Sequence, residues 1–192
     1  MRTTILTLLL AFVMFQNGGN YRIAENHKVI SERYNYSFEW PEKWSIFSAT
    51  GAPYFFNFSP GYFNSPGVRV GVPKGGAEIG IVADEESHQA GSIAKWMELD
   101  RISHGFSSTQ ELQLSPATTI NRAVKAVSFH DDGDSRHKRI TRTTAIYFQF
   151  QGHLLAADLM YNANDPKGTE YEDTLLAVVQ SFRPLDGVDR HK

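Results

Sequence analysis

Apolar and polar positions alternate along much of this chain, and the points where the period changes divide it into elements. Tyr34, Tyr36, Phe38 and Trp40 are interleaved with Asn35, Ser37 and Glu39, a period of two that sets four aromatic rings on one face of a strand. Pro41-Glu42-Lys43 interrupts the pattern and Trp44-Ser45-Ile46-Phe47 starts back, which predicts a β-hairpin. Residues 77–83 (AEIGIVA) form an apolar, β-prone stretch expected as a central strand. The clearest alternation is ITRTTAIYFQF at 140–150: Ile140, Thr144, Ile146, Phe148 and Phe150 share one face, and Thr141, Thr143, Tyr147 and Gln149 share the other. Gln151-Gly152 is a turn, after which residues 153–161 (HLLAADLMY) are expected to pair back. Residues 111–115 and 122–129 complete the strand candidates.

Two stretches change to helical spacing. Ile93, Trp96, Met97 and Leu99 mark the buried side of a helix over 92–103, closed by His104-Gly105, where a cation suits the helix C-terminus. Thr169 and Glu172 have capping-box spacing, and Tyr171, Leu175, Val178, Val179 and Phe182 recur at a helical period up to the Arg183-Pro184 stop. Residues 20–34 sustain no period and read as a linker or irregular segment. Prolines and glycines break up residues 51–76, leaving a short strand at 54–58 and then a surface loop. Its aromatics, Tyr54, Phe55, Phe56, Tyr62 and Phe63, either fold back onto the sheet or receive a partner.

The N-terminus follows a different logic. Arg2 precedes an apolar run from Ile5 to Phe15 broken only by Thr7, followed by small polar residues, the layout of a secretory signal. As a helix that run rises only about 16 Å, against a hydrocarbon core of roughly 30 Å. Residues 1–19 are therefore expected to direct export to the periplasm or the exterior, with membrane attachment only if they are retained. The remainder fits one domain over 35–184 with a solvated tail at 185–192.

Composition removes several classes of function. Of 192 residues, 41% are hydrophobic and 21% charged, with a formal net charge of −2, so the broad basic footprint that nucleic acid demands is missing. The absence of cysteine excludes disulfides, thiolate metal ligands and a cysteine nucleophile. Neither G-x-S-x-G nor G-x-x-x-x-G-K-[ST] occurs, and no cofactor motif is present.

The most reactive-looking stretch is FHDDGDSRHKRI, residues 129–140. His130, Asp131, Asp132, Asp134 and His137 offer imidazoles and hard oxygens suited to a metal ion. Their spacing matches neither a calcium loop nor a standard zinc pair, and Asp132-Gly133 between two alternating segments is turn chemistry. Two readings follow: a solvated hairpin tip, or the metal site of a metal-binding protein or metal-dependent hydrolase. His153 and Asp158 are five apart and point to opposite faces of a strand, so they serve no common site. Asp84, Glu85 and Glu86 precede a helix and are explained by its dipole. Asp158, inside LLAADLMY, needs a polar partner such as arginine if both faces of its strand are covered.

The aromatic-Pro-x-x-Trp phrase FEWPEKW, the meander of strands and the closing helix ending in Ser181-Phe182 together resemble the PsbP-like family, which shares its fold with the Ran-binding Mog proteins. The resemblance covers about residues 35–184. It implies an α+β fold, an α/β/α sandwich with a mainly antiparallel central sheet. It also implies an exported or lumenal protein that binds and does not catalyse. With no cofactor expected, the leading reading is binding of a protein, an envelope component or a small ligand through the sheet edge or the aromatic loop from Tyr54 to Phe63.

Overall fold

The computed structural model describes residues 22–24, 27–41, 43–47, 68–71, 76–114, 120, 122–131 and 140–185. In chain order the elements are β1 (Arg22–Ala24), β2 (Lys28–Ser31), β3 (Tyr36–Glu39), β4 (Ser45–Phe47), β5 (Val68–Gly71), β6 (Ala77–Ala83), α1 (Ile93–His104), β7 (Ser108–Leu112), β8 (Ala123–Asp131), β9 (Ile140–Phe150), β10 (His153–Asn162), α2 (Gly168–Gln180) and β11 (Arg183–Pro184).

The alternating segments assemble the larger sheet, ordered β4-β5-β6-β10-β9-β8-β7 and antiparallel throughout. At its centre β9 and β10 are joined by Gln151-Gly152, whose φ angles of 51° and 83° are the left-handed pair that a two-residue hairpin matched to strand twist requires. α1 packs over β8 and β9 on one face, and α2 lies on β10 and β3 on the other. This is the expected helix-sheet-helix layering, with a small second sheet, β1-β2-β3-β11, sharing the α2 side. The α+β class and mainly antiparallel sheet are as expected.

The predicted hairpin of β3 with β4 does not form. Both edges of β3 are already taken, by β2 on one side and β11 on the other, so β4 joins the larger sheet beside β5. Trp40, Pro41 and Trp44 instead mark a corner between sheets. The Trp44 N–H donates to the Pro41 carbonyl at 2.9 Å, and the Trp40 indole N–H donates to the Trp44 carbonyl at 3.2 Å. Tyr36 and Phe38 thereby reach the space between the two sheets and α2, where they surround Phe182 at ring separations of 4.9 and 5.0 Å. Phe148 and Phe150 of β9 close in from the larger sheet at 5.0 and 5.7 Å, and Phe182 is fully buried.

Other differences have local causes. Residues 22–24 and 28–31, expected to be irregular, form the paired strands β1 and β2; strands of three and four residues are too short to show a period. The strand expected at 111–115 lies at Ser108–Leu112. α1 follows its signals: Ser92 caps it, accepting from the Lys95 N–H at 3.2 Å, and Gly105 ends it at φ 65°. The capping box at Thr169 is not used, because α2 begins at Gly168 and Glu172 turns inward to the sheet. At the other end of α2, the Ser181 hydroxyl accepts the Glu39 N–H at 2.9 Å and donates to the Val178 carbonyl at 2.7 Å. Leu185, assigned to the tail, is buried, and its N–H reaches the Asn35 carbonyl at 3.3 Å.

Candidate functional site

Only part of the 130–137 cluster falls within the described residues. β8 and β9 stay paired out to Asp131↔Ile140, so the hairpin reaches the segment as expected. His130 and Asp131 are exposed, and as strand neighbours they point to opposite faces, which separates them as ligands. Asp132, Asp134 and His137 lie outside the described residues, as do the loop aromatics Tyr54, Phe55, Phe56, Tyr62 and Phe63. Among the described residues no group of three or more histidine or acidic side chains could hold a metal ion.

The carboxylates that the fold gathers are engaged in holding it together. Glu172 of α2 accepts from Lys125 Nζ at 2.5 Å, Thr144 Oγ1 at 2.6 Å, Arg142 Nε at 3.0 Å and the Tyr161 hydroxyl at 3.3 Å. Lys125 comes from β8, Arg142 and Thr144 from β9 and Tyr161 from β10, so one carboxylate gathers three strands under one helix. Burial pushes the Glu172 carboxyl up, but the hydrogen bonds from Lys125 and Thr144 and the charges of Lys125 and Arg142 outweigh it and hold the group below its ordinary range. Burial, and then the Glu172 charge, push the Tyr161 phenol up to about 12.

A second carboxylate anchors α1. Asp100 accepts the Tyr147 hydroxyl at 2.6 Å and faces His88 Nε2 at 2.9 Å. Its carboxyl is raised, chiefly by burial, with Tyr147 and His88 opposing the shift. Trp96 packs edge-on to both Tyr147 and His88. His153 Nδ1 meets Glu85 at 2.7 Å. Asp84 accepts the backbone N–H groups of Ala90 and Gly91, both at 2.8 Å. The acidic run is therefore not a dipole partner of α1, whose first turn holds no acid. It forms a 3-10 turn of its own that fastens the loop leading to the helix. Asp158 is half-buried and has a partner. Neither His88 nor His153 is hydrogen-bonded to a hydroxyl among the described residues, so neither imidazole is set beside a nucleophile.

Among the described residues, an open surface lies at the other side of α1. Ala94, Met97, Glu98 and Arg101 form one wall of a groove of about 240 Å³, with Phe106, Thr109 and Ala126 forming the rest. The groove is bounded by β7, the last strand of the larger sheet, which among the described residues pairs with β8 alone. Ser108, Thr109, Gln110 and Glu111 are all exposed, and Ile102 of α1 is 71% exposed. Sequence reasoning pointed to a sheet edge without naming which. The exposed STQEL strand has no apolar alternation that would have located it.

No protein-family model matches the chain, and no curated protein matches it significantly. Among solved structures, a protein from Bacteroides thetaiotaomicron aligns over 86% of this chain with a TM-score of 0.52 at 9% identity. The chain spans 50% of that protein's length, and the likeness is one of fold alone. The PsbP protein (CyanoP) of Synechocystis aligns over 82% of this chain and 91% of its own, at TM-score 0.41 and 12% identity. The Ran-binding protein Mog1p of Saccharomyces cerevisiae aligns over 88% and 97%, at TM-score 0.35 and 8% identity.

Proposed function

We propose that this chain is an exported, non-catalytic accessory protein that binds a partner through the free edge of β7 and the groove beside α1. The observation that carries the reading is the contrast between the acidic clusters and the edge. Glu172, Asp100, Glu85 and Asp84 are each bound to other parts of the fold. A five-residue strand with an apolar groove beside it is left without a covering element among the described residues. Strand addition at such an edge takes its affinity from main-chain hydrogen bonds and its selectivity from pockets for alternate side chains.

Export is supported by the Ile5 to Phe15 run. No helix among the described residues is long and apolar enough to cross a membrane. Cell fractionation with N-terminal sequencing tests the compartment. Binding is tested by capture from envelope extract with the wild-type chain, with Met97→Glu in the groove wall and with Asp173→Asn on α2. Loss of a specific partner in the groove variant alone is the expected result. Turnover of any substrate that disappears on replacing His88, Asp100 or His153 in a folded protein overturns the reading.

A further inference from the structure

β7 is the least guarded strand edge among the described residues. Natural sheets shield their edges by brevity, charged side chains, proline or bulges. β1 and β4 have three residues each, and β11 has two and ends in Pro184. β7 runs for five residues, STQEL, in unbroken register with β8 from Ser108↔Val127 to Leu112↔Ala123. Its single charge, Glu111, is held by Arg122 at 2.9 Å.

We propose that the occupant of this edge is β7 of a second copy of this chain, antiparallel across a two-fold axis at Gln110. The proposal rests on β7 being the binding edge, and the register follows from the sequence. With the axis perpendicular to the sheet, opposed residues must lie on the same face, so the axis passes through a residue position. An axis at Glu111 opposes two carboxylates, and one at Thr109 leaves Leu112 outside the pair. At Gln110 all five positions pair: Ser108 with Leu112, Thr109 with Glu111, and Gln110 with its copy. No like charges meet, and each threonine hydroxyl faces a carboxylate.

The same register acts on the groove. Thr109 stands beside Ala126, on the face covered by α1, so the Thr109-Glu111 pairs form along the groove floor. α1 lies over β8 and β9, which puts the helices of the two copies about 19 Å apart, four strand spacings. That exceeds the 8–10 Å of direct helix packing. The two grooves therefore merge into one cleft, with Met97, Arg101 and Phe106 contributed by each copy.

The chain has no cysteine, so a single introduced thiol reports the register directly. Across the axis the Cα atoms at position 110 lie about 4.5–5.5 Å apart, within disulfide reach. At position 108 they are about 13 Å or more apart. Under mild oxidation the full chain carrying Gln110→Cys is expected to run as a covalent dimer, and Ser108→Cys as a monomer. In sedimentation of the full chain, Thr109→Glu, which sets a carboxylate against Glu111 of the other copy, weakens the dimer about tenfold. Thr109→Lys strengthens it. A chain that stays monomeric at high micromolar concentration, equal cross-linking at 108 and 110, or both Thr109 variants shifting the dimer the same way overturns the proposal. If the chain is monomeric yet loses captured partner on Thr109→Glu, self-pairing fails and the edge reading stands. If neither property responds, both fail.

Discussion

Glu172→Gln tests how the larger sheet holds its second helix. Glutamine keeps the length of the side chain and can still accept from Thr144, but its amide nitrogen opposes Lys125 Nζ where the two groups now meet at 2.5 Å. Lys125 and Arg142, whose side chains are 25% and 30% exposed, then lose the carboxylate between them. Removing one partner of a fully buried pair costs about 3–5 kcal/mol, and an exposed pair contributes only about 0–1 kcal/mol. With Glu172 itself at 15% exposure, the expected loss lies between, at about 2–3 kcal/mol. For a chain of this size that lowers Tm by roughly 4–12 °C, read by circular dichroism. The pH dependence carries the sign. A carboxylate held below its ordinary value of 4.5 contributes stability that is present above that value and lost as pH falls through the folded-state value. The gap between wild type and variant should therefore close in acid. A neutral-pH difference below about 0.5 kcal/mol, or a gap that persists into strong acid, refutes the reasoning.

Four further outcomes are expected. Tyr147→Phe leaves the buried Asp100 carboxylate without its hydroxyl donor at 2.6 Å and should lower stability by about 1–3 kcal/mol in urea unfolding. Phe182→Ala empties the centre of four surrounding rings, with a cost of about 3–5 kcal/mol. Gly105→Ala meets no neighbouring atom within 4 Å but must hold φ 65°, so a purely conformational loss of about 1 kcal/mol is expected. Metal analysis of the purified chain, with and without His130→Ala and His137→Ala, should show no stoichiometric ion in any of them; a metal lost with those histidines would restore the ion-binding alternative.

Legibility in the sequence tracked whether a signal was local. The Ser92 cap and Gly105 stop of α1, the alternation of β9 and the Gln151-Gly152 turn are all written within a few residues of where they act. The β3-β4 hairpin misled because alternation reports a buried face and not which strands will occupy the edges; β2 and β11 took both. Glu172 misled in the same way. Its spacing from Thr169 fits a cap, but two cations and a hydroxyl from β8 and β9 outbid a single backbone N–H. The open edge was the least legible of all, since β7 differs from a loop only through its ladder with β8.

The seam between β3 and the end of α2 joins the two ends of the described fold, and it can close only once both have been made. Glu39 and Ser181, hydrogen-bonded to each other, are 142 residues apart, and β11 pairs with β3 just beyond. During synthesis at about 5–20 residues per second, the first three strands wait on the order of ten seconds for their last neighbour to be made. Until then the aromatic face of Tyr36 and Phe38 has no Phe182 to close over it. Phe182 and β11 thus close the aromatic layer, and truncation before Phe182 should leave a protein that collapses without closing.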